Sequence, residues 1–162
     1  MNTMANETQI AADERVPLIR IVREFDAPRE KVFRAHTDPE LVRQWMGPRD
    51  RAMTVDHYDC RTGGSWRYIL TRGDDEQAFH GSFHEVRPNE SIVQTFTWEG
   101  MPDGVALERL TLEDLEGGRT RLVATSLVDS FEARDAILAS GMDTGVREGY
   151  ERLDALLADG SR

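Results

Sequence analysis

Two hydrophobic rhythms run along this chain, and the switch between them marks out its elements. Residues 18–28, "LIRIVREFDAP", are apolar and β-branched until Asp26 and Pro28 interrupt them, which predicts a strand. Pro28 suits the first turn of a helix, and in "REKVFRAHT" Val32, Phe33 and His36 fall on one side of it. "DPELVRQWMGP" predicts a second short helix. Asp38 is a good N-cap, Pro39 takes the first helical position, and Gly47–Pro48 ends it. Its inward face is Leu41, Val42, Trp45 and Met46.

After this the period falls to two. "RAMTVDHYDC" and "SWRYILTR" predict strands on either side of a turn at Thr62–Gly64, with Trp66, Tyr68 and Leu70 on one face. "QAFHGSFHEVRP" and "SIVQTFTWEG" predict a pair joined through "PNE". Phe79, Gly81 and Phe83 share a face of the first strand, and Ile92, Phe96 and Trp98 a face of the second. "VALERLTLEDL" and "RTRLVATSLV" flank the glycine-rich turn "EGG". The rhythm then returns to helical from Phe131 to Ala158.

The order is strand, two short helices, six strands and one long C-terminal helix. It predicts an α+β fold in which a curved, seven-stranded antiparallel sheet wraps around that helix, the only large partner for its apolar face. Residues 1–17 are polar and aperiodic and read as a flexible lead-in, with residues 18–160 as a single domain. On the last helix Leu138, Met142, Val146, Leu153 and Leu156 form one stripe at roughly 100° per residue. Gly141, Gly145 and Gly149 recur every fourth position in or beside it, although each costs about 0.8–1 kcal/mol relative to Ala. Either they let the helix pack closely, or they leave room for a guest between helix and sheet. The large inward aromatics Trp66, Tyr68, Phe79, Phe83, Phe96 and Trp98, with Trp45, Met46 and Met53 beside them, leave the same choice open.

Charge narrows the classes. A formal net charge of −10 without any basic cluster disfavours nucleic acid and anionic membranes as partners, since both are polyanions. No apolar run approaches the ~18 residues of a membrane helix, and the N-terminus lacks the apolar core of a signal peptide. Cys60 is the single cysteine, so an internal disulfide is excluded and a reducing, cytoplasmic setting is expected.

Candidate chemistry is sparse. His80 and His84 share a side of their strand but oppose Phe79 and Phe83, which turns them to solvent, and two histidines do not complete a metal site. His57 and Cys60 fall on opposite sides of theirs and fail as a catalytic pair. No phosphate loop, dinucleotide fingerprint or nucleophile elbow is present, so no cofactor, metal or catalytic residue is expected. Glu108 and Arg109 lie on a mid-sheet strand, where an inward-pointing side chain would orient a polar group or act as acid or base.

"REFDAPREKVFRAHTDPELVRQWMGP", "DCRTGGSWRY", "FHGSFHEVRPNESIVQTFTWE" and "RDAILASGMDTGVREGYERLDALLA" together resemble the SRPBCC (START-like) superfamily. Within it they are most similar to the bacterial branch named for the C-terminal domain of the activator of heat-shock protein 90 ATPase. The resemblance spans about residues 18–158 and implies a helix-grip fold with a deep cavity between sheet and helix. It implies binding of a hydrophobic small molecule, lipid-like or aromatic in the manner of a polyketide. The matching cavity positions are Trp45, Met53, Trp66, Tyr68, Phe79, Phe83, Phe96, Trp98, Met142, Val146 and Tyr150, and Glu108 is added to them, with either Tyr68 or Glu108 as the polar anchor. Where members often carry two tryptophans, this chain has Trp45–Met46. The name also implies two alternatives: a chaperone partner in stress response, whose second contact domain has no counterpart in this sequence, and an enzyme of the polyketide cyclase or hydrolase type.

Overall fold

The computed structural model describes residues 6–159. In chain order the elements are β1 (Gln9–Ala12), β2 (Leu18–Phe25), α1 (Arg29–Thr37), α2 (Pro39–Trp45), β3 (Ala52–Tyr58), β4 (Ser65–Arg72), β5 (Asp75–Arg87), β6 (Ser91–Trp98), β7 (Ala106–Leu115), β8 (Arg119–Leu127), α3 (Phe131–Ala139) and α4 (Met142–Ala158). All strand pairs are antiparallel in a single sheet ordered β1-β2-β8-β7-β6-β5-β4-β3.

The sheet has eight strands rather than the expected seven. The additional one, β1, lies within residues 1–17 and pairs with β2 from Gln9↔Val22 to Ala12↔Ile19. Its four residues, QIAA, contain a single β-branched side chain, too short an alternation to register as a strand. The two helices after β2 form where the N-cap signal places them, and the Glu40 N–H donates to Asp38 Oδ1 at 3.0 Å.

The C-terminal helix is not continuous. Gly141 adopts φ +89°, a left-handed conformation open to a residue without Cβ, and separates α3 from α4. Nor do the other two glycines open a gap to the sheet. A Cβ on Gly149 would meet Trp45 O at 3.1 Å and Gly47 N at 3.3 Å, and one on Gly145 would meet Pro48 Cδ at 3.4 Å. The bare flank of α4 therefore seats the end of α2 and the Gly47–Pro48 turn. The backbone of α4 comes closest to α2, α3 and α1 and reaches the sheet through side chains.

Those side chains close the core around Phe25, Val32, Trp66, Phe83, Leu122 and Leu153, all fully buried or nearly so. One charge is sealed in with them. Arg23 on β2 has a side chain only 2% exposed, and its guanidinium grips Asp154 of α4 through two bonds of 3.0 and 2.6 Å. Its remaining bonds go to Thr8 Oγ1 and Glu24 O. A buried cation is tolerated only when paired and hydrogen-bonded in this way, so the pair fixes where the C-terminal half of α4 sits against β2.

Candidate functional site

Strand alternation and register together define what faces α4. Gln94↔Glu108 and Glu108↔Ser126 are direct neighbours across β6, β7 and β8, so three polar side chains cross the inner face in one row. The next row, Ile92, Leu110 and Ala124, is apolar, and on the other side Phe96 faces Ala106. Beyond β6 the inner face becomes aromatic. Trp66–Tyr68, Tyr68–Phe79, Phe79–Phe96 and Phe96–Trp66 approach with ring centroids 5.1, 5.6, 5.4 and 5.6 Å apart, a closed circuit of four rings. From α4, Tyr150 stacks on Trp45 at 5.8 Å and meets Phe25 edge-on at 5.4 Å.

Glu108 is the one carboxylate in this row. Burial pushes its pKa up from 4.5 to about 7, while hydrogen bonds from Ser126 and from Gln94 Nε2, the latter at 3.4 Å, pull against that rise. Burial first, and then the Glu108 charge, raise the phenols of Tyr68 and Tyr150, which places both rings around the carboxyl. Glu108 nonetheless keeps accessible surface, as do Gln94, Phe79, Phe96, Leu110, Ala124 and Ser126, while Trp66, Phe83 and Leu122 are sealed. The inner face thus holds a strip of partly accessible residues beside an otherwise packed core. A carboxyl that is half-ionised near neutrality, set among aromatic rings, can accept a hydrogen bond, hold a cation, or give and take a proton.

The sequence-derived positions separate into three groups. Tyr68, Phe79, Phe96, Glu108 and Tyr150 come together around the strip, and Met53, Met142 and Val146 are half-buried on β3 and α4. Trp45, Trp66 and Phe83 sit deeper in the core: Trp45 donates its indole N–H to Ala35 O at 2.9 Å, and Phe83 packs edge-on against Tyr58. Trp98 is 42% exposed at the end of β6, where its indole N–H donates to Gln77 Oε1. Gln94 and Ser126 were not singled out in the sequence. Gln94 follows from the same alternation as Ile92, Phe96 and Trp98, whereas Ser126 emerges only from the register between β7 and β8.

Elsewhere the structure narrows the chemistry. Burial pushes the Cys60 thiol up to about 12, which removes it as a nucleophile. Arg67 points outward into an ion pair with Glu99, which also bonds His80. Two hollows of about 220 and 110 Å³ lie at the far end of the helix–sheet contact, beside Asn6, Asp26, Arg23, Asp154 and Leu157, away from the aromatic circuit.

The family described as "Activator of Hsp90 ATPase homolog 1-like protein" matches residues 26–158, from the end of β2 to the last turn of α4. This chain belongs to that family. No curated protein matches the sequence. Among solved structures, members of the same helix-grip architecture superpose on it nearly end to end. A protein from Rhodobacter sphaeroides is 28% identical with a TM-score of 0.85, covering 95% of this chain and 100% of its own. One from Arthrobacter aurescens is 27% identical with a TM-score of 0.85, covering 95% and 93%. One from Mycobacterium smegmatis is 25% identical with a TM-score of 0.84, covering 93% and 96%. The chain has the α+β fold of that family, an open antiparallel sheet with a C-terminal helix. The match begins at Asp26, directly after β2, so β1 and β2 lie outside it.

Proposed function

We propose that this protein binds a small, largely apolar molecule, aromatic or lipid-like, between the inner face of the sheet and α4. The reading rests on one observation above all: a lone carboxyl, Glu108, sits among aromatic rings on an inner face that keeps accessible surface. Phe79 and Phe96 form the apolar wall, Tyr68 and Tyr150 bring hydroxyls beside the carboxyl, Met53 and Val146 pack against the same core, and half-buried Met142 at the start of α4 is added as a contact. Met side chains adapt to irregular guests at little cost. A fold that takes up a guest selectively in its native state gains apparent stability from it. The single half-buried Cys60 suits a reducing cytoplasm, and among the described residues no helix is long and apolar enough to cross a membrane.

Native mass spectrometry of the protein purified from its own host tests this directly. A species heavier than the bare chain by a small-molecule mass, released on denaturation, is the expected result. The bare chain alone, together with no thermal shift across a panel of apolar aromatic compounds, would overturn the proposal.

A second reading has an observation of its own. Trp98, Met101 and Val105 are 42, 63 and 47% exposed around the β6–β7 connection, a patch that suits contact with a partner protein such as a chaperone. This reading expects a purified heat-shock protein 90 ATPase to accelerate when the chain is added. An unchanged rate at saturating protein would remove it.

A further inference from the structure

The charges around the strip are one-sided, and that restricts what it accepts. Among the carboxylates on the inward side of strands β4 to β8, Glu108 alone lies mid-sheet: Asp75 and Asp114 share its parity but are exposed at the strand ends, the first paired with Arg51 and the second with Arg29. No cation answers it there. Two arginines stand at inward positions of the sheet: Arg72 is exposed at the end of β4 and bonds Asp50, and the guanidinium of Arg23 is engaged by Asp154, Thr8 and Glu24 O. The cations of the helices packed over the strip are also engaged elsewhere. Arg147 donates to Thr8 O, Arg152 to Gln44 O, Arg134 to the carbonyls of Asp13 and Leu18, and Lys31 to Leu157 O. His36 on α1 is buried, and burial lowers its pKa to about 4, so it is neutral where Glu108 ionises. The remaining titratable groups facing the carboxyl are the phenols of Tyr68 and Tyr150, both neutral in that range.

We infer that Glu108 sets ligand selectivity by charge: the strip takes an apolar body bearing an amine, or failing that a hydroxyl, and rejects one bearing a carboxylate. This rests on the ligand-binding reading above and narrows it, since free fatty acids and aromatic acids are excluded. The physical reason is desolvation. A guest carboxylate would sit beside a second carboxyl in a low-dielectric space with no positive partner, which disfavours ionisation of both. A guest ammonium supplies the counter-charge the site lacks and recovers the cost of ionising Glu108. Aromatic faces add to that preference, because their quadrupoles attract cations. A hydroxyl donates one hydrogen bond to the carboxyl and falls between the two.

The test uses three probes with one apolar body: 2-(aminomethyl)naphthalene, 2-naphthalenemethanol and 2-naphthoic acid. Binding is measured by calorimetry at about pH 8, above the point where Glu108 ionises. The expected order is amine, alcohol, acid, with amine and acid separated by on the order of ten-fold or more. In Glu108→Gln that separation should collapse, while the alcohol, which Gln can still accept, keeps its affinity within a few-fold. Thermal unfolding confirms that the variant is folded. Equal binding of all three, or a preference for the acid, would overturn the selectivity inference and leave the ligand-binding reading standing. Binding of none would overturn both.

Discussion

At about pH 8 the Glu108→Gln variant is expected to melt at a higher temperature than the parent chain. In the folded protein the Glu108 pKa rises from 4.5 to about 7 because burial disfavours its charged form. Between those values the folded state holds a proton that the unfolded chain has released. Stability is therefore full below about pH 4.5, falls as pH rises through 7, and stays lowered above that. A rise of this size corresponds to about 3 kcal/mol, an upper figure for a carboxyl that keeps some contact with solvent. Glutamine carries no such penalty and preserves an acceptor for Gln94 and Ser126. For a chain of this length 3 kcal/mol amounts to roughly 6–12 °C in melting temperature. Near pH 4.5 parent and variant should melt together. If they also melt together at high pH, Glu108 is not desolvated and the interior strip is wetter than its geometry indicates.

His36 makes the comparison more informative. Its Nδ1 lies 2.8 Å from Val32 O, and burial lowers its pKa from 6.5 to about 4. Here the unfolded chain takes up the proton first, so stability is full above pH 6.5 and is lost as pH falls through about 4. The two groups act over nearly the same interval with opposite sign. Between about pH 4.5 and 6.5 the parent should show little net dependence from this pair. Glu108→Gln removes one side and exposes the other, so the variant alone should weaken steadily on acidification. Melting temperatures recorded across that interval distinguish this from a simple gain in stability, which would raise every point equally.

The parts of this structure that were legible in the sequence are those governed by local rules. The period-two segments became β3 to β8, and the Asp38–Pro39 signal became the start of α2 with its cap in place. What escaped depends on distant partners. The strand QIAA is defined by β2 opposite it rather than by its own pattern. The hydrophobic stripe of the last helix runs through Gly141, and only the backbone reveals that the chain turns left-handed there. In the sequence Gly145 and Gly149 leave close packing and room for a guest against the sheet both open, because helical spacing tells which residues share a face, not which neighbour that face meets. Their neighbour is the Gly47–Pro48 turn. The site divides in the same way. Inward parity grouped Tyr68, Phe79 and Phe96 and left Glu108 and Arg109 open, and the row that joins Glu108 to Gln94 and Ser126 requires the register of three strands. The pairing of Arg23 with Asp154 across 131 positions, which leaves Glu108 without a cation, has no local signature at all.

Gly81, like Gly64 in the turn before β4, has backbone where a Cβ would stand and should not tolerate replacement. It lies on the inner face of β5 opposite Trp66, where a Cβ would stand 1.9 Å from Thr95 O and 2.7 Å from Trp66 Nε1. A strand glycine of this kind marks a close approach of backbone to backbone. The same crowding leaves the buried Trp66 indole N–H without a partner, pressed towards the strand instead of reaching an acceptor. Gly81→Ala must therefore separate β5 from β6 or expel Trp66, and Trp66 belongs to the circuit of rings that walls the strip. Overpacking costs typically about 1–3 kcal/mol and more where backbone must move. We expect a loss at or above the top of that range, a melting temperature lower by roughly 6–12 °C or more, and altered tryptophan fluorescence. Gly145→Ala is the matched control. Its Cβ would touch only Pro48 Cδ at 3.4 Å, and alanine in a helix interior is favoured by about 0.8–1 kcal/mol, so that variant should melt no lower than the parent. If Gly81→Ala melts with the parent, β5 and β6 are not in the close contact that holds Trp66 in place, and the aromatic wall must be built differently.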